Sequence, residues 1–218
     1  MAMYDINGNP VVSGYDWRNC LWYVVGDSLT ERNGRAAKHY YDYIAEETGI
    51  NIQVDGLSGT GYCMSMGSNA KFKDRVPGNL EDYDPDILTI FGSGNDNHVD
   101  DATLKQAINE TLDAILAVKP NLKIGLITPT PWVDYAPSVE GNAMMTHSDT
   151  IIEVGRERGI PVLDLYRTSQ LYPDNENFRA EYYKEGSTQD SGIHPNSKGQ
   201  ERIHAQIREF LRRIITKY

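Results

Sequence analysis

The clearest apolar run in the chain is Leu21-Trp22-Tyr23-Val24-Val25, which stops at Gly26 and gives way to Asp27, Ser28, Leu29 and Thr30. An unbroken apolar stretch closed by a turn signal suits a strand covered on both faces, as in parallel sheets. Comparable runs at 51–54, 87–91, 123–128 and 162–165 predict four more strands. Between them the spacing changes to that of a helix. Ala37, Tyr40, Tyr41 and Ile44 form one stripe, ended by Gly49. Leu104, Ile108, Leu112, Ile115 and Leu116 form a second behind a capping Asp101. A helix from Ala143 carries Met145, Ile151 and Ile152, with Arg156 and Arg158 near its end and Gly159 beyond. The last helix buries Ile203, Ile207, Phe210, Leu211 and Ile214, and Ser197 and Gln200 stand in capping-box spacing at its start.

Strand and helix alternate five times, which predicts an α/β fold: a three-layer α/β/α sandwich around a five-stranded parallel sheet. Two stretches resist this reading. Residues 62–86 show no clear period, and 166–195 form a long connection without a recognisable element of its own; such connections are usually functional. Residues 1–20, polar and turn-rich, read as a lead-in segment, and 21–218 as a single domain.

Composition narrows the function. A formal charge of -10 and a pI near 4.9, with scattered basic residues, argue against nucleic acid as a partner. No run approaches the length of a membrane span, and the first residues lack the basic and apolar regions of a signal peptide. The expectation is a soluble chain, either cytoplasmic or exported as part of something longer. Cys20 and Cys63 make neither a disulfide framework nor a zinc site.

The chemistry gathers at strand ends. In an open parallel sheet, ligands collect at the carboxyl ends of the strands, where Asp27-Ser28, Ser58-Gly59-Thr60 and Gly94-Asn95-Asp96 would share one rim. A serine hydroxyl is a weak nucleophile until a base takes its proton, and His194, delivered by the long connection, is the candidate base for Ser28. Acyl transfer also needs donors aimed at the developing oxyanion; the backbone N–H groups of Ser28 and Gly59 and the side-chain amide of Asn95 can supply them. Asp96, His98, Asp100 and Asp101 form an acidic cluster without the glycine of a calcium loop, so capping of the next helix is the preferred reading and no metal is assigned. His39 and His204 are expected at the surface.

These blocks resemble the SGNH hydrolases, also called GDSL-type esterases. Gly26-Asp27-Ser28-Leu29-Thr30 matches the block of the nucleophile, and Gly59 and Asn95 match the two further oxyanion positions. His194, in Ile193-His194-Pro195-Asn196, matches the base. The blocks occur in family order across residues 26–199. The resemblance implies a flavodoxin-like sheet, a serine esterase and no cofactor. There are two departures. Ser93 stands where the third block usually has glycine, and Ser191 stands where the orienting aspartate is expected, three residues before the histidine. Asp190, with Gly192 letting the loop bulge, is the candidate third catalytic residue; otherwise a dyad operates. Asp27, Tyr62, Asp96 and Trp132 are candidate substrate contacts.

Members of the family act on carbohydrate acetyl esters, lysophospholipids and thioesters. With 14 tyrosines and 3 tryptophans against 4 phenylalanines, and no apolar segment suited to an acyl tunnel, the chain is read as an esterase for short acyl groups, acetyl foremost, on a small-molecule or glycan ester. The alternatives are a lipolytic hydrolase of the lysophospholipase or thioesterase kind, and a glycan-binding module of a phage tail or surface protein on the same frame. Oligomeric state is not legible.

Overall fold

A computed structural model describes residues 15–133, 143–183 and 192–216. Its sheet consists of β1 (Leu21–Gly26), β2 (Asn51–Gly56), β3 (Ile87–Phe91), β4 (Lys123–Ile127) and β5 (Val162–Leu163), all parallel, in the order β2-β1-β3-β4-β5. The helices are α1 (Tyr40–Thr48), α2 (Phe72–Asp82), α3 (Asp101–Val118), α4 (Ala143–Arg158), α5 (Leu165–Thr168), α6 (Glu176–Tyr182) and α7 (Ser197–Thr216). This is the expected three-layer α/β/α architecture.

Successive side chains of a strand point to opposite faces, and β1 uses both. Trp22 and Val24 join α1 and α7 in one core, where Tyr40, Ile44, Ile207 and Leu211 are fully buried. Tyr23 and Val25 join α2, α3 and α4 in the other, with Phe72, Leu80, Leu112 and Ile151. That double burial is why β1 reads as a continuous apolar run. The register sets Gly26 level with Gly56 on β2 and Phe91 on β3. The chain reverses its direction of strand addition at β1, so three strand ends open onto one crevice at a topological switch point.

Several boundaries differ from the sequence reading, each for a local reason. Helix α2 lies inside the unreadable stretch 62–86. Its stripe of Phe72, Val76 and Leu80 is sound, but Pro77 and Gly78 within it mask the helical signal. Asp100, not Asp101, caps α3, accepting from Thr103 N at 2.7 Å. Strand β5 stops at Leu163 because Asp164 turns to cap α5, taking Arg167 N at 3.2 Å. Ser197 and Gln200 form no capping box. The amides at the start of α7 go to Asn196 Oδ1, from Lys198 N at 3.0 Å and Gly199 N at 3.2 Å. Gln200 instead accepts from Tyr40 N and donates to Leu29 O, each at 3.2 Å, binding α7 to the loop after β1. His39 is buried, not exposed, and stacks on Tyr41 with ring centroids 5.2 Å apart. Within the lead-in, Trp17 is buried in the first core and donates its backbone N–H to Thr48 O at 2.9 Å.

One buried cation locks the strand ends together. Arg75 on α2 donates to Gly26 O at 2.9 Å and Asp55 O at 3.0 Å, and pairs with the Asp55 carboxylate. Asp55 also accepts from Tyr23 Oη at 2.9 Å and Asn79 Nδ2 at 3.2 Å. Removing one partner of a buried ion pair leaves the other charge uncompensated. Arg75→Leu should therefore cost about 3–5 kcal/mol of stability, and Asp55→Leu added to it should recover part of that loss. Urea unfolding of the three proteins checks this; a single variant as stable as the parent would contradict it.

Candidate active site

The strand end at Gly26 admits no side chain, since a Cβ there would stand 2.2 Å from Thr30 Oγ1 and 2.8 Å from Phe91 O. The chain then folds tightly: Thr30 N and Glu31 N both donate to Asp27 O, at 3.1 and 2.9 Å, while Asp27 Oδ1 accepts from Leu29 N at 2.9 Å. This turn presents Ser28 at the sheet rim. His194 lies in the loop before α7. An antiparallel bridge between Tyr183 and Pro195 and two bonds from Asn196 Nδ2, to Glu181 O at 2.9 Å and Tyr183 O at 3.0 Å, hold that loop against the end of α6. The outcome is a 2.9 Å hydrogen bond between Ser28 Oγ and His194 Nε2, both side chains nearly buried. A serine so placed against an imidazole can pass it a proton as it attacks.

Gly59 and Asn95 come from the neighbouring strand ends. Gly59 has φ +73°, a conformation that favours glycine, in a turn pinned by Leu57 N to Gly26 O at 3.1 Å and Thr60 Oγ1 to Leu57 O at 2.7 Å. Met66, 61% exposed, lays its thioether over Gly59, where a Cβ would meet it. Asn95 sits in a short 3-10 turn after β3 and donates from Nδ2 to Thr60 O at 2.9 Å and Asp27 Oδ2 at 3.4 Å. Ser93, at the departure from the family block, takes φ +94°, the region a glycine would occupy without strain, and its hydroxyl lies 3.5 Å from His147 Nδ1.

Three of the four candidate substrate contacts are internal instead. Asp96 is fully buried, and its carboxylate accepts from Tyr62 N, Cys63 N and Met64 N, all at 2.9 Å; it fastens the stretch after Gly59 to the turn of Asn95. Tyr62 packs edge-on against Phe72 inside the second core. Asp27 is also buried, with its oxygens committed to Leu29 and Asn95. Trp132 remains at the rim, half-buried, its ring lying where a Cβ on Gly94 would fall. Asp190 lies outside the described residues. Gly192, two positions on, has φ +82° and accepts from Val133 N at 3.0 Å. Among the described residues no group of three His, Cys, Asp or Glu side chains is set to hold a metal ion.

The sequence reading missed the polar groups that brace these loops. Asn33 Nδ2 donates to Ser28 O at 2.9 Å, and Asn69 Nδ2 donates to Ser58 O at 3.1 Å. The trace of Asn33 in the sequence is the density of charged and amide residues just after Ser28, which reads equally well as a solvated loop; Asn69 leaves none.

Burial pushes the Asp27 carboxyl up to about 7, with the nearby Asp96 charge adding to it and Leu29 N–H and Arg75 opposing. The unfolded value is near 3.8, so between about pH 4 and 7 the folded chain keeps a proton that the unfolded chain has lost. Stability from this group therefore falls as pH rises through that window and is level above it. Asp27→Asn cannot titrate there. Relative to that variant, the parent should lose up to about 1.4 kcal/mol per pH unit across the window. Urea unfolding at pH 5 and pH 7.5 reads the difference, and parallel behaviour would contradict it.

Comparison with known proteins places the site in context. Residues 24–202 match the model of the GDSL-like lipase/acylhydrolase family. Among solved structures, a protein from Lactobacillus plantarum superposes with a TM-score of 0.73 at 22% identity, over 88% of this chain and 96% of that one. A carbohydrate acetylesterase from Sinorhizobium meliloti superposes with a TM-score of 0.66 at 14% identity, over 88% and 98% of the two chains. The aryl esterase of M. smegmatis gives 0.67 at 13%, over 89% and 99%. At these identities the likeness is one of fold. A search of curated proteins found no match.

Proposed function

The chain belongs to the GDSL-like lipase/acylhydrolase family and is a carboxylic ester hydrolase; from that premise we propose that it works through an acyl-enzyme on Ser28. The observation that carries this reading is the 2.9 Å contact between Ser28 Oγ and His194 Nε2. His194 takes the hydroxyl proton as Ser28 attacks the ester carbonyl, then gives it to the departing alcohol. Water, activated by the same imidazole, releases the acid. The backbone N–H groups of Ser28 and Gly59 and the Asn95 amide receive the oxyanion. The 2.9 Å bond to Thr60 O fixes the plane of that amide, and the longer 3.4 Å contact from Nδ2 to Asp27 Oδ2 is the one that would yield to the oxyanion. Asp190 is proposed to orient His194. If Asp190→Asn lowers turnover by well under tenfold, a dyad replaces the triad, because loss of a triad aspartate costs roughly 10⁴ elsewhere.

The proposed substrate is a short acyl ester, acetyl foremost, on a carbohydrate. The abundance of tyrosine and tryptophan over phenylalanine supports this, as do the activities named for two fold neighbours, a carbohydrate acetylesterase and an aryl esterase. Trp132 is the proposed wall of the substrate site. A series of aryl esters should show acetate preferred to octanoate; the reverse order would favour the lipolytic reading.

Against aryl acetate, Ser28→Ala should abolish turnover while the fold survives, and Asn95→Ala should lower kcat by about 10²–10³. Steady-state kinetics beside thermal unfolding check both. Unchanged turnover in Ser28→Ala would overturn the mechanism.

A further inference from the structure

Between the nucleophile and the oxyanion turn stands a carboxylate that neither the family blocks nor the mechanism uses. Glu31 follows directly on the Ser28 turn, and its Oε1 accepts from Ser58 N at 3.3 Å. Its Oε2 accepts the Ser58 hydroxyl in a short hydrogen bond, and Asn33 Nδ2 at 3.1 Å. The same Asn33 amide nitrogen donates to Ser28 O at 2.9 Å, and Asn33 Oδ1 accepts from Arg35 N at 3.1 Å. Arg35 Nη1 in turn donates to Ser58 Oγ at 3.2 Å and stands 3.9 Å from the Glu31 carboxylate. One carboxylate therefore holds both the backbone and the side chain of the residue before Gly59. Through one amide it also reaches the carbonyl of the nucleophile. The two loops are in close contact here, since a Cβ on Gly56 would fall 2.4 Å from Glu31 N.

We infer that Glu31 is a positioning residue: it sets the separation and tilt of the Gly59 N–H relative to Ser28, and thereby the shape of the oxyanion hole. This inference rests on the proposed esterase mechanism. An oxyanion donor works only when it meets the place where charge develops, and a displacement of an ångström can cost 10²-fold. Among the described residues, Glu31 is the group that grips Ser58 by both its N–H and its hydroxyl. The Asn69 bond holds only the carbonyl of Ser58. Hydrogen bonds to Ser58 and Asn33 and the Arg35 charge outweigh the burial of Glu31 and keep its carboxyl below the ordinary glutamate range, so it is an anion at neutral pH.

The role predicts a particular pattern of loss. The hole binds the tetrahedral state more than the ester, so removing its brace should lower kcat and leave KM nearly alone. Glu31→Ala should lower kcat for aryl acetate at least tenfold, with KM within about threefold of the parent. The affinity for an alkyl boronic acid, which forms a tetrahedral adduct on serine, should fall in parallel. Glu31→Gln, still able to accept from Ser58 N, should keep most of the activity. Ser58→Ala removes one arm of the grip, and its loss should not add to that of Glu31→Ala in the double variant. Assays run at least 20 °C below each variant's own Tm separate positioning from mere instability. A kcat loss under tenfold in Glu31→Ala, a loss that moves KM instead, or additive losses with Ser58→Ala would overturn the assignment. If the parent itself fails to hydrolyse aryl acetate, the esterase reading fails first, which distinguishes the two failures.

Discussion

The hydrogen bond between Ser28 and His194 joins residues 166 positions apart, one at the end of the first strand and the other just before the last helix. Neither loop could hold its partner unaided. The first is set by the turn on Asp27 and by Gln200, which reaches from α7 to Leu29 O. The second is set by Asn196, which fastens the start of α7 to the end of α6. Helix α7 therefore both anchors the loop of His194 and grips the loop of Ser28. Its apolar stripe of Ile203, Ile207, Phe210, Leu211 and Ile214 supplies the packing that makes this grip rigid. The stability of one face of the sheet and the geometry of the Ser28–His194 pair have a common source.

The rim is organised by buried polar groups rather than by apolar contact. Asp96 gathers three backbone amides, Arg75 ties two strand ends together, and Asp27 faces the amide of Asn95. Such networks are expensive if half satisfied and rigid when complete. Asp27 carries the cost visibly, its carboxyl raised to about 7 by burial close to a second carboxylate. Ser93, held at φ +94° just before the turn of Asn95, is a second strained feature of the same rim. Strain and burial concentrate where three loops must converge on one point, as expected of a preorganised site.

The sheet and the candidate site residues are both legible in the chain, because each leaves local signals. Buried strands read as apolar runs, and Ser28, Gly59, Asn95 and His194 fall at element ends. Asp27, Tyr62 and Asp96, expected to contact substrate, are buried instead, because nothing local distinguishes a rim residue facing outward from one that turns inward to a neighbouring loop or the core. Ser197 and Gln200 mimic a capping box, yet their partners lie on α1 and its approach, roughly 160 positions away in the chain. Glu31 carries no local signal for the same reason: it bonds Ser58, on another strand's loop. Helix α2 was hidden by Pro77 and Gly78, which tertiary packing overrides. Long-range polar partnerships are the part of this molecule that spacing along the chain does not encode.

Activation of the Ser28 hydroxyl by His194 is open to direct chemical test. Fluorophosphonate labelling followed by intact-mass and peptide mapping tests it without assuming any natural substrate. A single adduct on Ser28, forming at neutral pH in the parent and lost in a folded His194→Ala variant, is the predicted result. A parent that stays unlabelled, or one whose Ser28 reacts equally fast without His194, would contradict the account.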